Sequence, residues 1–166
     1  MLWCILIIIL TVVDQLSKWY FYTYRFKYDG FVVIKDFFYL TYLENRGAAF
    51  GMLQNFRWMF IILTIAALVF MIWHLIRNKN TLLRVSLTLL ISGATGNFID
   101  RLFRGFVVDF LDFYPFGYDF PIFNFADICI NVGAFLLFYY VIFIYKEPVT
   151  GKDEHNSSEV ADEQRK

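Results

Sequence analysis

Between Trp58 and Ile76 the chain contains no Asp, Glu, Lys or Arg. A helix crossing the hydrocarbon core of a bilayer needs about 20 mostly apolar residues, and this stretch supplies them. Three further stretches come close. The first, 2–22, is interrupted by Asp14 and Lys18. The third, 82–99, has Arg84 near its start and runs into Asp100 and Arg101. The fourth, 128–145, follows Asp127 and precedes Lys146. Hydrophobic residues make up 59% of the 166 and charged residues 18%, against roughly 45–50% and about 25% in soluble proteins. With 21 Phe, 11 Tyr and 4 Trp, a soluble domain of this length could not bury its apolar surface. The expected fold is a mainly α membrane protein with four transmembrane helices, in one membrane-embedded domain over residues 1–146.

The first stretch is expected to be a retained span rather than a cleaved signal peptide. It lacks a basic leading segment and a small-residue cleavage site, and its apolar run continues past charged residues. Cys4 lies too close to the start to be a lipobox cysteine. The link between spans two and three carries Arg77, Lys79 and Arg84. Short basic loops stay in the cytoplasm, and an even span count then puts both termini there. The loop 23–57 is basic too, with Arg25, Lys27, Lys35, Arg46 and Arg57, although this topology places it outside.

That loop does not read as a linker. Phe31–Ile34 and Phe37–Leu43 are β-branched and aromatic runs bounded by Asp29-Gly30 and Asn45-Arg46-Gly47, so short strands forming a small outer sheet are expected. The connector 103–124 is equally aromatic, with Pro115, Gly117 and Pro121 as turn points. From Glu147 onward the chain is polar, charged and free of aromatics, which predicts a disordered cytoplasmic tail over 147–166.

Net charge is zero, from 15 basic and 15 acidic residues, so nothing suggests nucleic-acid binding. Cys4, Cys129, His74 and His155 are isolated from one another, and no metal site is expected. No P-loop, G-x-S-x-G, G-x-G-x-x-G or H-E-x-x-H occurs.

Charge inside a span is costly and needs a reason. Asp14 lies about 12 residues into span one, roughly 18 Å along it, with Lys18 one turn further on the same face. The pair either neutralises itself, packing the bundle or snorkelling, or supports a polar site near the outer surface. Span three ends in Gly96-Asn97-Phe98-Ile99-Asp100-Arg101. There a hydrogen-bonded helix end, with Arg101 pairing a carboxylate, explains the polar residues better than direct catalysis. Asp109 has apolar neighbours, and Asp127 opens span four, where a carboxylate also suits a helix N-terminus. Asp100, Asp109 and Asp127 are thus all delivered to one membrane surface. Two carboxylates held close together cannot both ionise cheaply, which is the condition for activating a water. Spacing alone leaves Asp112 and Asp119 as further candidates.

Five blocks taken in order resemble the lipoprotein signal peptidase family, also called signal peptidase II. They are Asp14-Gln15-Leu16-Ser17-Lys18, Glu44 to Gly51 (Glu-Asn-Arg-Gly-Ala-Ala-Phe-Gly), Gly96 to Arg101, Val107-Val108-Asp109-Phe110, and Phe123-Asn124-Phe125-Ala126-Asp127. The one mild departure is Ser17, where Thr is usual. The resemblance implies an aspartyl endopeptidase of the bacterial cytoplasmic membrane with Asp109 and Asp127 as the catalytic pair. It implies supporting or substrate-binding roles for Asn45, Asn97, Asp100, Arg101, Asn124, Asp14 and Lys18. The implied substrate is a prolipoprotein cut just before its diacylglyceryl-modified cysteine. The site would lie at the outer face beside a β-cradle, in contact with membrane lipids. No metal or organic cofactor is implied, and the chain is expected to act as a monomer. The rival readings are a non-catalytic membrane scaffold and a small proton-coupled transporter. A transporter usually carries repeats or broken helices near the midplane, whereas the acids here gather at one surface.

Overall fold

The computed structural model of the chain describes residues 1–25, 30–47, 54 and 56–145. Along it run α1 (Leu2–Thr23), β1 (Phe31–Ile34), β2 (Phe38–Asn45), α2 (Arg57–Arg77), α3 (Thr81–Phe103), β3 (Val107–Phe113) and α4 (Phe125–Phe143), with a 3-10 turn at Pro115–Gly117. All four helices are long and apolar enough to cross a membrane, as the sequence predicts. The tail expected over 147–166 lies outside the described residues.

Helix α3 is the centre of the bundle and packs against α1, α2 and α4. Half of its span is buried, against 11–17% for the other three. The reason is in its side chains. Lipid tails are as apolar as leucine, so membrane helices associate through close packing and hydrogen bonds rather than by hiding from solvent. Ser86, Thr88, Ser92, Gly93, Gly96 and Asn97 are all buried in α3. Its serines donate to their own helix, Ser86 Oγ to Leu83 O and Ser92 Oγ to Leu89 O, so their burial leaves no orphan hydroxyl. At Gly93 a methyl group would collide with the Ala126 carbonyl of α4 and sit 2.8 Å from Ile130 Cγ1. At Gly96 it would run into the Asp14 carboxylate of α1. These two glycines set how near α4 and α1 can come. Helix α2, apolar on every side, turns Ile62, Val69, Phe70, Trp73 and Ile76 outward, where lipid would meet them.

Two helices differ from the sequence reading. Helix α3 continues past Asp100 and Arg101 to Phe103, because partners inside the bundle satisfy those charges. Helix α4 begins three residues early, at Phe125, because Asn124 and Asp127 form a capping box around its first turn.

The strands form one antiparallel sheet in the order β1-β2-β3. The β1–β2 hairpin lies in the expected place. Strand β3 is an addition, since the connector 103–124 reads as turns and aromatics. It pairs with β2 through Leu43 opposite Asp109 and Asn45 opposite Val107, and one extra residue bulges out of β2 between Leu40 and Leu43. Phe21, near the end of α1, stacks on Phe110 at 4.2 Å. With Val108 it forms the small core that fastens the sheet to the bundle.

Candidate active site

The site is built from the end of α3, the start of α4, strand β3 and the end of β2. At its base lies Lys18, fully buried. Its three N–H bonds have three acceptors: Asn97 Oδ1 at 2.8 Å, Asp14 Oδ2 at 3.0 Å and Asp100 Oδ2 at 3.4 Å. An ammonium has no further donor to place, so its charge is fully met without water. Both acids are equally hidden, Asp14 at 1% and Asp100 at 0% exposure. Lys18 therefore does not snorkel, and the two readings of the Asp14–Lys18 pair merge: it packs the bundle and it reaches the polar site.

Each acid of this cluster also grips the backbone next to another aspartate. Asp100 Oδ2 accepts the Val108 N–H at 3.0 Å, one residue before Asp109. Asp14 Oδ1 accepts the Ala126 N–H at 2.9 Å, one residue before Asp127. That amide belongs to the first turn of α4, where backbone donors have no partner within the helix. One buried ion cluster thus fixes the strand that carries Asp109 and the helix that carries Asp127.

Above it, asparagines hold the two carboxylates. Asn45 Nδ2 donates to Asp109 Oδ2 at 2.9 Å, and Asn124 Nδ2 donates to Asp109 Oδ1 at 2.6 Å. Asn97 Nδ2 donates to Asp127 Oδ1 at 2.8 Å, and the Asn124 N–H donates to Asp127 Oδ2 at 3.1 Å. Asn124 touches both acids, and its Oδ1 accepts the Asp127 N–H at 3.0 Å, which fixes its amide orientation. Helix capping by Asp127 therefore coexists with a place in the site.

Asp109 and Asp127 open into a single cavity of about 680 Å³, whose wall includes Arg101, Val107, Phe123 and Ile130. Asp109 is 1% exposed. Burial first, and the charge of Asp127 second, push its carboxyl up to about 7, against the asparagine donors and Lys18, which favour the ionised form. Arg101 departs from expectation. Its guanidinium donates to the Gly47 carbonyl at 3.1 Å and the Asn97 carbonyl at 3.4 Å, and lies 4.9 Å from the centre of the Phe60 ring. The arginine that pairs with Asp100, alongside Lys18, is Arg104.

The structure brings all nine predicted residues into this one assembly and adds two. Gln15 Nε2 donates to the Gly96 carbonyl and to Asp14 Oδ2, each at 3.1 Å, while Arg104 reaches Gln15 Oε1 at 3.4 Å. The i, i+4 spacing of Asp100 and Arg104 was a legible signal for that pair. Of the leftover acids, Asp119 lines the cavity and Asp112 does not.

A model of the family described as signal peptidase (SPase) II matches residues 6–143, which include every residue of the site. The chain belongs to the signal peptidase II family. It is 44% identical over 149 residues to the lipoprotein signal peptidase of Symbiobacterium thermophilum, covering 89% of this chain and 98% of that one. The lipoprotein signal peptidase of Clostridioides difficile is 44% identical over 144 residues, with 86% and 96% covered. A solved bacterial membrane enzyme, determined by the in meso method at 2.3 Å resolution, superposes with a TM-score of 0.78 at 36% identity, covering 89% of this chain and 94% of that one.

For a signal peptidase II the ion cluster at Lys18 makes a direct stability prediction. Lys18→Met leaves two buried carboxylates without their shared cation. Breaking a buried pair in this way costs about 3–5 kcal/mol. The variant is expected to lose most of its folded yield and to unfold at markedly lower temperature in detergent. An unchanged unfolding midpoint would contradict the cluster's role.

Proposed function

We propose that this signal peptidase II hydrolyses the peptide bond just before a diacylglyceryl-modified cysteine of a prolipoprotein, with Asp109 and Asp127 as an aspartyl pair. The observation that carries the reading is one buried and one half-buried carboxylate, from different elements, opening into one cavity and joined through Asn124. In this reading Asp109 holds the shared proton. Each of its oxygens accepts one amide and keeps a second lone pair, so that proton has room on the cavity side. It polarises the scissile carbonyl, while the Asp127 carboxylate takes a proton from the attacking water. Asn45, Asn97 and Asn124 aim the two groups. Asp14, Lys18 and Asp100 hold the elements that bear them, and Arg101 ties the wall at Gly47. One copy of the chain supplies every group named.

The test is release of signal peptide from a lipidated prolipoprotein, followed across pH. If the proton on Asp109 is required, kcat/KM declines as pH rises through about 7, the limb belonging to the pair rather than to one residue. The same raised value has a consequence for stability. Between the ordinary carboxylate range and about 7 the folded chain binds a proton that the unfolded chain does not, so this group's contribution falls as pH rises through that window. A rate still climbing well above neutral pH would contradict the assignment of the proton.

The orientation follows from the basic link between α2 and α3. Asn78–Asn80 and both termini face the cytoplasm, and the sheet, the connector and the cavity face outward. With Cys4 and Cys129 replaced, Tyr118→Cys is expected to react with an impermeant thiol reagent added outside, and Lys79→Cys is not. Both parent residues are exposed. The reverse pattern would put the site on the wrong side for exported substrates.

A further inference from the structure

A second cavity, of about 450 Å³, lies at the far end of the sheet and is lined by Gly30, Asp36, Tyr39, Asp112, Tyr114 and Gly117. Asp112 is only 7% exposed. Among the described residues its Oδ1 has no hydrogen-bond partner and its Oδ2 has only the Tyr114 hydroxyl, at 3.5 Å. A buried carboxylate oxygen left without a donor costs free energy until a donor arrives. The Tyr39 and Tyr114 rings stand edge to face at 5.4 Å beside it, and tyrosine rings attract cations. Asp36 adds a second carboxylate to the wall. Among the described residues no basic side chain lines the cavity. Burial first, and Asp119 second, raise the Asp112 carboxyl above its ordinary range, so an entering cation would relieve both effects.

Resting on the peptidase reading above, we infer that this cavity is a subsite for a lysine or arginine side chain in the mature part of the substrate. Carboxylates beside aromatic rings suit an organic cation. A divalent ion is disfavoured, since no group of three His, Cys, Asp or Glu among the described residues is placed to hold one. An ammonium lipid headgroup would bring its phosphate, and the wall offers that phosphate no cation among the described residues. The position is right for an exiting chain. Asp119 and Phe120 line the catalytic cavity while Tyr114 and Gly117 line this one, so the short 114–120 segment divides the two. Along β2, Asn45 at the catalytic cavity and Tyr39 here are six residues apart, roughly 20 Å at strand rise. An extended substrate covers the same distance, so the basic residue belongs about six positions beyond the cut.

The experiment compares lipidated precursors carrying Lys or Gln at each of positions four to eight after the cysteine, in nanodiscs of phosphatidylglycerol and phosphatidylcholine. In the unaltered enzyme the Lys/Gln ratio of kcat/KM is expected to reach about tenfold at one position, the worth of a charge-assisted hydrogen bond. It is expected to fall near one in Asp112→Asn. The ratio is taken within each variant, so the folded fraction cancels. If Asp112→Asn yields no folded enzyme, Asp36→Asn decides. Asn tolerates the positive φ of 60° at that turn, and the ratio should fall there too. A ratio near one at every position in the unaltered enzyme overturns the inference. So does a ratio that survives both substitutions, or one that collapses when phosphatidylethanolamine is added, which would make the headgroup the occupant. Failure to cut either precursor would overturn the peptidase reading and this subsite with it.

Discussion

Asp109→Asn and Asp127→Asn are each expected to lower cleavage per folded enzyme by at least the 10²–10⁴-fold typical of general acid–base groups. The double variant should be little slower than either single one, because residues that act as one unit are strongly non-additive. Asn nearly preserves the shape of Asp but can neither carry the shared proton nor accept one from water. At position 109 it also turns an amide NH₂ toward the donors of Asn45 and Asn124, so some loss of stability accompanies the loss of rate. The rate must therefore be referred to folded protein, counted by binding of a substrate-mimicking inhibitor. Asp119→Asn is the comparison. It removes a carboxylate from the same cavity wall, but one that no hydrogen bond joins to Asp109 or Asp127 among the described residues, and it should cost far less. Near-normal cleavage by either single variant of the pair would show that the pair is misassigned.

The second large effect concerns lipid. The cavity that exposes the two carboxylates is also walled by Leu43, Val107, Ile122, Phe123 and Ile130. Lipidation contributes about 0.8 kcal/mol per buried methylene. Burying only four methylenes of a diacylglyceryl group is then worth about 3 kcal/mol, roughly 200-fold. An unlipidated precursor of the same sequence is expected to show kcat/KM lower by at least that factor. The comparison is a single competition assay with both precursors in one nanodisc preparation. Equal turnover would remove acyl-chain binding from the account.

How far the sequence could be read depends on how local each signal was. The spans are carried by composition within single segments, and their helices lie where composition puts them. The Asp14–Lys18 pair is an i, i+4 signal within one helix and was equally legible. Its third partner, Asp100, comes from a helix more than 80 residues away, which is why α3 could not be seen to continue through its charged end. Strand β3 was hidden for a related reason. Asp109 and Asp112 are three apart, so Val107–Phe113 lacks the alternation that marks a half-buried strand, and its partners in β2 lie 62 to 75 residues upstream. Arg101 shows the limit of charge matching. Its donors are taken by backbone carbonyls, while Arg104, one turn from Asp100, takes the carboxylate. The capping and catalytic readings of Asp127 were competing only on paper, since Asn124 serves the first turn of α4 and the carboxylate pair at once.

The most direct measurement of the central claim is the mass of both products after purified protein in nanodiscs has acted on one lipidated prolipoprotein. The account predicts two fragments: a signal peptide ending at the residue before the lipidated cysteine, and a mature chain beginning with that cysteine and retaining its diacylglyceryl group. Uncut precursor in the presence of folded, inhibitor-binding protein, or a cut at any other bond, would contradict it.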